Sequence, residues 1–154
     1  MKVRFDQFDD SQKNELSEMI KSLYSEDSNG EPINDQKIEK TISYFWKYPQ
    51  HGKIVIFSFN GLTIGYSILI NYWSNEYGGC LLQIDELYIR KNFRSHGIGT
   101  AFIQYLTNNY KETSKAVLLE VSPSNKMAYK FYIKNGFTEV ENQSMRYTFS
   151  NGNL

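Results

Sequence analysis

Arg94, Gly97 and Gly99 lie in the segment RSHGIGTAF, where an arginine precedes two glycines and an amphipathic run follows. Successive backbone N–H groups of a glycine-rich turn that opens a helix form an anion site, which the helix dipole supports. An arginine beside such a turn adds a charge-assisted hydrogen bond. The segment therefore predicts a phosphate site, although the same glycines could simply permit a tight turn between a strand and a helix.

Two common phosphate-binding patterns do not fit this segment. The pattern G-x-x-x-x-G-K-[ST] requires a lysine after its second glycine, whereas Lys91 precedes the glycines. The dinucleotide pattern G-x-G-x-x-G requires a glycine where this chain has Phe102. The loop therefore belongs to neither of these two types, and its function has to be inferred together with the neighbouring elements.

A second candidate for chemistry is the acidic pair Asp85 and Glu86 in the otherwise apolar stretch LLQIDELYI. Adjacent side chains of a strand point to opposite faces, so one of the two is expected to reach a cleft. A carboxylate with a pKa near 4.3 takes a proton from an amine of pKa near 10.4 only at a cost of about 8 kcal/mol. Burial of the carboxyl group, or a water chain ending at it, reduces that cost. The pair could instead only bind a cation or cap a bulge.

The elements that must position these residues follow from hydrophobic periodicity and turn residues. The first helix is expected to be capped by Asp10 or Ser11 and the second by Asn34 or Asp35. Asn60-Gly61 predicts a two-residue hairpin turn. In chain order the predicted elements are a strand at 1–5, a helix at 12–24, a helix from Asn34 to before Pro49, strands at 53–59, 62–70 and 81–89, a helix at 97–110, a strand at 115–121, a helix at 124–135, and strands at 137–141 and 145–149.

This order, β-α-α-β-β-β-α-β-α-β-β, predicts an α/β (α+β) fold with a mixed, mostly antiparallel central sheet flanked by helices. Residues 1–154 are expected to form a single domain, since the sequence shows no linker, repeat or low-complexity tract. A fold class does not give a function, so the candidate sites decide it.

The segments IDELYIRKNFRSHGIGTAFIQYL and SPSNKMAYKFYIKNGF strongly resemble the GNAT superfamily of N-acetyltransferases, which transfer acetyl from acetyl-CoA to an amine. The resemblance spans about 81–140, while the N-terminal half is similar in element order rather than in residues. The family's R/Q-x-x-G-x-G/A and N-x-x-A-x-x-x-Y-x-x-x-G-F patterns are matched by Arg94, Gly97 and Gly99, and by Asn125, Ala128, Tyr132, Gly136 and Phe137.

The resemblance implies acetyl-CoA as co-substrate and a cleft in which the strand at 81–89 splays from its parallel neighbour. Main-chain groups of that strand would pair with the pantetheine arm, and the loop amides would hold the pyrophosphate. Asn125 would touch the coenzyme, although an asparagine at a helix start is equally a cap. The implied cofactor-binding residues are Leu87, Tyr88, Ile89, Arg94, Ser95, His96, Gly97, Ile98, Gly99, Thr100, Asn125 and Tyr132.

The resemblance also assigns catalytic roles. Tyr132 matches the family's tyrosine that donates a proton or hydrogen bond to the leaving thiolate, although it also fits a helix-packing stripe. A phenol of pKa about 10 is a weaker acid than a thiol of pKa about 8.5, which favours a hydrogen bond over full proton transfer. Family members often place an acid at one of the positions of Asp85 and Glu86, and Glu86 is narrowly preferred as the base.

Acidic residues gather where the family places its acceptor groove, which predicts a small cationic amine as substrate. Tyr72, Trp73 and Tyr77 could cover an ammonium group by cation–π contact. A polyamine, a diamine or an amino-acid-like amine is expected, with aminoglycosides and protein N-termini or lysines as alternatives; the acidic loops could also be merely solvated. The predicted acceptor-binding residues are Tyr24, Glu26, Asp27, Glu76 and Glu86.

Composition excludes several other classes. Lys plus Arg equal Asp plus Glu at 17 each, so no global field attracts nucleic acid or anionic lipid. Two histidines and one cysteine, without paired ligand spacing, predict neither a metal site nor an internal disulfide. The charged N-terminus MKVRFDQFDD and the lack of a long apolar run favour a cytoplasmic protein without a membrane span. Dimers are common in the family, and a homodimer or a non-catalytic acetyl-CoA sensor remains open.

Overall fold

The computed structural model describes residues 1–27 and 30–149, whose contacts group into two compact units, Met1–Glu120 and Val121–Leu154. The first unit contains a five-stranded sheet and three helices, and the second contains one helix. The single domain expected over 1–154 stays a prediction. No helix within the described residues combines the length and the apolar character needed to cross a membrane.

The elements follow one another in the order expected up to the last helix. Short 3₁₀ turns precede α1 and lie before β2 and after β4. The elements are β1 (Arg4–Gln7), α1 (Lys13–Glu26), α2 (Asp35–Lys47), β2 (Gly52–Phe59), β3 (Leu62–Ser74), β4 (Gly79–Ile89), α3 (Ile98–Tyr110), β5 (Val117–Leu119) and α4 (Lys126–Lys134).

The sheet has the strand order β1-β2-β3-β4-β5, with every pair antiparallel except β4 and β5. The turn between β2 and β3 has positive φ at both central residues, 48° at Asn60 and 79° at Gly61. An asparagine and a glycine tolerate this conformation best, which explains why the dipeptide specifies a tight hairpin. The mostly antiparallel sheet and the hairpin are confirmed.

The two faces of the sheet pack against different helices. Tyr66, Ile68 and Tyr88 belong to a buried cluster that also contains residues of α1 and α2. On the other face, the rings of Phe57 and Phe102 lie 4.6 Å apart, centroid to centroid, which joins β2 to α3. Because side chains alternate along a strand, one strand supplies both layers of the core.

Helix starts agree in part with the predicted caps. The Asn34 side chain accepts a hydrogen bond from the Lys37 N–H and caps α2, as predicted. The first helix differs, because neither Asp10 nor Ser11 caps it, and Gln12 at its N-cap position makes no capping hydrogen bond with its side chain. Asp9 caps a 3₁₀ turn that leads into α1, and it forms a capping box with Gln12.

The strands predicted at 137–141 and 145–149 are not present, since the described residues after α4 form no strand. Four apolar side chains of that segment are exposed, among them Val140 at 68% and Met145 at 96%, whereas Phe137 is partly buried against Tyr132. Alternating apolar residues favour a strand only where a neighbouring strand pairs with the backbone and a layer covers one face. The alternation of apolar residues at 145–149 was therefore an insufficient signal for a strand.

Candidate functional site

The acidic pair lies at a bulge in β4. Ile68 of β3 lies opposite Glu86, and Leu69 lies opposite Ile84, so Asp85 has no partner of its own on β3. A bulge interrupts the alternation of side chains and redirects them locally. Asp85 and Glu86 consequently line the same cavity. The expectation that the two side chains would point to opposite faces is wrong, because it assumed a regular strand.

The cavity that these carboxylates line has a volume of about 380 Å³ and lies between α1, α2 and the strands β3 and β4. The surface of its wall is mostly apolar, and the polar groups come from α1, α2 and β4. Its lining residues are Ile20, Tyr24, Ile33, Ile38, Lys40, Thr41, Tyr44, Phe45, Ile68, Asp85 and Glu86.

Two phenols fix the carboxylate of Glu86. The Tyr24 hydroxyl donates to Oε1 and the Tyr66 hydroxyl donates to Oε2, each at 2.8 Å. The Ser67 hydroxyl donates to the main-chain carbonyl of Glu86, also at 2.8 Å. Helix α1 and strand β3 thus hold the side chain from two directions, which limits its rotation.

Burial raises the pKa of the Glu86 carboxyl above its ordinary value, while the hydrogen bonds from Tyr66 and Tyr24 oppose this effect. The pKa of Asp85 is also raised, by burial and by the negative charge of Glu120. Burial, together with the hydrogen bond to Glu86, raises the pKa of Tyr24, so its phenol stays a donor. The cavity therefore holds two carboxyl groups with increased proton affinity.

The glycine loop leads directly into α3. Gly97 precedes the helix with a φ of 77°, and Ser95 has a φ of 63°. No side chain in the described part of the chain caps this helix, and its first turn contains no acidic residue. The N–H groups of a first helical turn lack acceptors within the helix, so they point toward a ligand or solvent. This geometry suits an anion.

Arg94 is engaged within the protein. Its Nε donates to the carbonyl of Ile89 at 2.7 Å, and its Nη2 lies 3.0 and 2.9 Å from the two carboxylate oxygens of Glu26. The guanidinium also lies over the Tyr88 ring, 5.3 Å from the centroid. Glu26, the last residue of α1, therefore belongs to the surroundings of the glycine loop rather than to the cavity lining.

The remaining predicted acceptor residues are distributed differently from the expectation. Tyr24 lines the cavity, as described above. Glu76 is exposed in the turn between β3 and β4, and Asp27 is exposed after α1. Trp73 and Tyr77 are exposed on the same hairpin. Within residues 1–27 and 30–149, the cavity lining includes none of these four side chains.

Sequence reasoning missed Tyr66 and Tyr44. Tyr66 is fully buried in a strand. A buried phenol normally needs a hydrogen-bond partner, and this need was the signal that could have linked Tyr66 to an acidic residue. Tyr44 lines the cavity from α2, and its hydroxyl lies 2.7 Å from Nδ1 of His51. No sequence signal linked Tyr44 to the acidic pair, because the cavity forms only when α2 packs on the sheet.

The parallel ladder between β4 and β5 ends where the acidic pair begins. Its last pair is Ile84 with Leu119, so Leu87, Tyr88 and Ile89 have no β5 partner among the described residues. Their backbone groups pair with β3 on one side only. The β5 side of this segment is an edge at which an extended ligand can pair with the main chain.

The second unit holds Asn125 and Tyr132. The Asn125 side chain accepts a hydrogen bond from the Ala128 N–H at 3.1 Å and caps α4. Tyr132 packs between Phe131 and Phe137, with ring centroids 5.0 and 5.4 Å away. Burial raises the pKa of Tyr132 to about 12, so the phenol keeps its proton across the neutral range.

A profile of the acetyltransferase (GNAT) domain matches residues 50–139 of the chain. The chain belongs to the GNAT acetyltransferase family. The matched span of this GNAT domain contains the acidic pair, the glycine loop and Tyr132. Within its described residues, no three or more histidine, cysteine, aspartate or glutamate side chains are grouped so that they could hold a metal ion.

Two uncharacterised N-acetyltransferases of Methanocaldococcus jannaschii are similar to this GNAT chain in sequence. One is 31% identical over 98 residues, which is 62% of this chain and 58% of the relative. The other is 33% identical over 84 residues, which is 53% of this chain and 37% of the relative. The chain thus spans about half the length of the curated relatives that it matches.

Solved structures share the fold of this GNAT protein. One, described as a possible acetyltransferase from Clostridium difficile 630, has a TM-score of 0.83 at 17% identity and covers 96% of this chain and 97% of that chain. An aminoglycoside acetyltransferase in complex with the bisubstrate analog CoA-S-monomethyl-acetylneamine has a TM-score of 0.77 at 17% identity, over 97% and 99% of the two chains. At such identities the likeness concerns the fold.

Proposed function

We propose that the protein transfers the acetyl group of acetyl-CoA directly to a primary amine. The amine nitrogen attacks the thioester carbonyl, a C–N bond forms, the C–S bond breaks, and coenzyme A leaves as a thiolate. The observation that carries this proposal is the Glu86 carboxylate, held by two phenols at a cavity within the span that matches the GNAT domain.

The acidic pair has two tasks in this proposal. An amine arrives as an ammonium ion and must lose a proton before it can attack. Glu86 accepts that proton, directly or through a water, and Asp85 adds negative charge that attracts the ammonium. The raised pKa of each carboxyl group narrows the gap to the pKa of the amine.

The coenzyme is proposed to bind along β4 and the glycine loop. The pantetheine arm pairs with main-chain groups of Leu87, Tyr88 and Ile89, and the pyrophosphate lies on the N–H groups that open α3. Two observations support this placement, the unpaired edge after Ile84 and the uncapped start of the helix. Asn125 is proposed to contact the coenzyme through the part of its amide that does not cap α4.

Acetyl-CoA binding is expected to tighten in the Glu26→Gln variant. The Glu26 carboxylate holds Arg94 at 2.9 Å, so it competes with the pyrophosphate for the guanidinium and repels its charge. The pair is partly exposed, with side-chain accessibilities of 39% and 29%, so its contribution is small. We expect the Kd of acetyl-CoA, measured by calorimetry, to fall about threefold to fivefold.

The matched control for this prediction is Glu18→Gln. Glu18 is also on α1 and pairs with another arginine, Arg90, at 3.6 Å. Its removal is expected to leave the affinity for acetyl-CoA unchanged. Weaker binding in Glu26→Gln would contradict the proposed role of Arg94.

Loss of one phenol is expected to change the pH dependence of the reaction. The hydrogen bonds from Tyr24 and Tyr66 stabilise the Glu86 carboxylate and lower its pKa against the effect of burial. In Tyr24→Phe the pKa of Glu86 therefore rises, and the acidic limb of the kcat/KM profile moves to higher pH. Tyr44 lines the same cavity, but its hydroxyl contacts His51 rather than Glu86. The acidic limb of the Tyr44→Phe variant is therefore expected to stay in place. If the acidic limb of the kcat/KM profile stays in place in Tyr24→Phe, Glu86 is not the group that titrates in that limb.

The test of the proposed function is mass spectrometry of a pooled amine panel incubated with the protein and acetyl-CoA. The panel contains the polyamines, diamines and amino-acid-like amines predicted from the sequence, together with aminoglycosides, short peptides and apolar monoamines such as hexylamine and phenethylamine. An acetylated amine supports the proposal, and the absence of any acetylated product contradicts it. A cytoplasmic location and a homodimer stay predictions from the sequence.

A further inference from the structure

We propose that the acceptor is a monoamine with an apolar body, aliphatic or aromatic, rather than a polyamine, a diamine or an aminoglycoside. This inference rests on the proposed acetyltransferase function and adds the class of the acceptor. It follows from the chemistry of the walls of the cavity that holds Asp85 and Glu86.

Negative charge in this cavity is confined to one place. Asp85 and Glu86 are adjacent in the chain and are the only carboxylates among the described lining residues. These carboxylates can therefore form an ion pair with one ammonium group at the bulge of β4, next to the groups that take its proton. No second carboxylate in the described lining can receive another ammonium farther along the cavity.

The rest of the wall suits a hydrocarbon. Helices α1 and α2, strand β3 and the segment before α2 present apolar side chains to the space in front of the carboxylates. These side chains remove the apolar surface of a ligand from water. The apolar lining residues are Ile20, Ile33, Ile38, Phe45 and Ile68. The three hydroxyl groups of the wall, those of Tyr24, Thr41 and Tyr44, already have partners within the protein. A second ammonium or the hydroxyl groups of a sugar would therefore lose water contacts there with few hydrogen bonds in return.

The acidic residues that would serve a polycation lie elsewhere. Glu26 pairs with Arg94 beside the glycine loop, and Glu76 is exposed on the turn between β3 and β4. Neither belongs to the cavity lining. The acidic residues that the sequence predicted to form one groove therefore lie at separate places in the structure.

The experiment compares hexylamine with cadaverine as acetyl acceptors. The two molecules have the same chain length, and cadaverine carries an ammonium group where hexylamine has a methyl group. We expect kcat/KM for hexylamine to exceed that for cadaverine by at least about tenfold, with phenethylamine near hexylamine and spermidine near cadaverine. The affinities of hexylamine and cadaverine for the complex with coenzyme A, measured by calorimetry, are expected to follow the same order.

A variant with a new carboxylate in the wall makes the test independent of the choice of amines. Thr41 lines the cavity from α2 and is half-buried, so a substitution there spares the core. Thr41→Asp is expected to shift the ratio of kcat/KM values toward cadaverine by about tenfold. Thr41→Asn has nearly the same shape and no charge, and it equally lacks the hydroxyl that donates to the Lys37 carbonyl. It is expected to keep the preference for hexylamine.

Each outcome separates this inference from the proposed function. Acetylation of cadaverine, spermidine or an aminoglycoside with a kcat/KM equal to or above that of hexylamine overturns the apolar acceptor and leaves the acetyltransferase in place. If no amine is acetylated, the proposed function fails, and calorimetry alone decides about the cavity. In that case tighter binding of hexylamine than of cadaverine supports the inference, and equal binding, absent binding or the reverse order overturns it.

Discussion

The Glu86→Gln variant is expected to lose about 10²- to 10³-fold in kcat/KM for the amine, the range in which a removed general base acts. Glutamine keeps the size of the side chain and an oxygen that can accept from one of the two phenols. It cannot take up a proton. The loss is expected mainly in kcat, because the base acts in the transition state, and it is measured by following thiol release with a thiol reagent.

The pH dependence of kcat/KM is expected to report the ionisation of Glu86. Glu86 must be ionised to accept a proton, and burial raises its pKa above the ordinary 4.5. In the wild-type protein kcat/KM therefore falls as the pH decreases through that raised pKa. The limb is expected to vanish in Glu86→Gln, since the titrating group is gone.

Comparison with the Asp85→Asn variant distinguishes the roles of the two carboxyl groups. It removes one charge from the same cavity but leaves both hydrogen bonds from Tyr24 and Tyr66 to Glu86 intact. We expect a higher KM for the amine, a smaller loss in kcat, and an acidic limb that persists. A larger loss of kcat in Asp85→Asn than in Glu86→Gln would exchange the roles of the two residues.

The second large effect is expected for Tyr132→Phe, with a loss of about 10²-fold in kcat and little change in the KM of acetyl-CoA. We propose that the Tyr132 phenol donates a hydrogen bond to the leaving thiolate. Its pKa of about 12 makes it a weaker acid than a thiol of pKa about 8.5. Full transfer of the proton would thus cost about 5 kcal/mol, whereas a hydrogen bond stabilises the thiolate without that cost.

The control for Tyr132→Phe is Tyr129→Phe on the same helix. Tyr129 is exposed, and its pKa is raised by a hydrogen bond to Glu139, so the hydroxyl already has a partner in its own unit. Its loss is expected to leave kcat unchanged. Steady-state rates at saturating acetyl-CoA compare the two variants, and a wild-type kcat in Tyr132→Phe would remove this phenol from the mechanism.

The sequence predicted features that depend on local chemistry. Asn60-Gly61 specifies its turn because the dipeptide tolerates positive φ, and Asn34 caps α2 because its side chain reaches the N–H of Lys37. The glycine loop opens α3 for the same kind of reason, since Gly97 adopts a positive φ. These signals act over a few residues, so they can be recognised without knowledge of the remaining chain.

Features that depend on distant partners were not predictable in this way. The bulge at Asp85 arises from the register between β3 and β4, which no pattern within β4 reveals. The pairing of Glu26 with Arg94 joins residues 68 positions apart, so the acidic cluster of the sequence gave no indication of it. The strands expected at 137–141 and 145–149 failed for a related reason, because a strand requires a neighbour that the segment itself cannot supply.

The measurement that tests the central claim most directly is the transfer of an isotopically labelled acetyl group from acetyl-CoA to hexylamine, followed by mass spectrometry in the wild-type protein and in Glu86→Gln. The predicted result is labelled N-acetylhexylamine with one coenzyme A released per product, and a rate about 10²-fold lower or more in the variant. Release of coenzyme A without labelled amide, or equal rates of amide formation in both proteins, would contradict direct transfer assisted by Glu86.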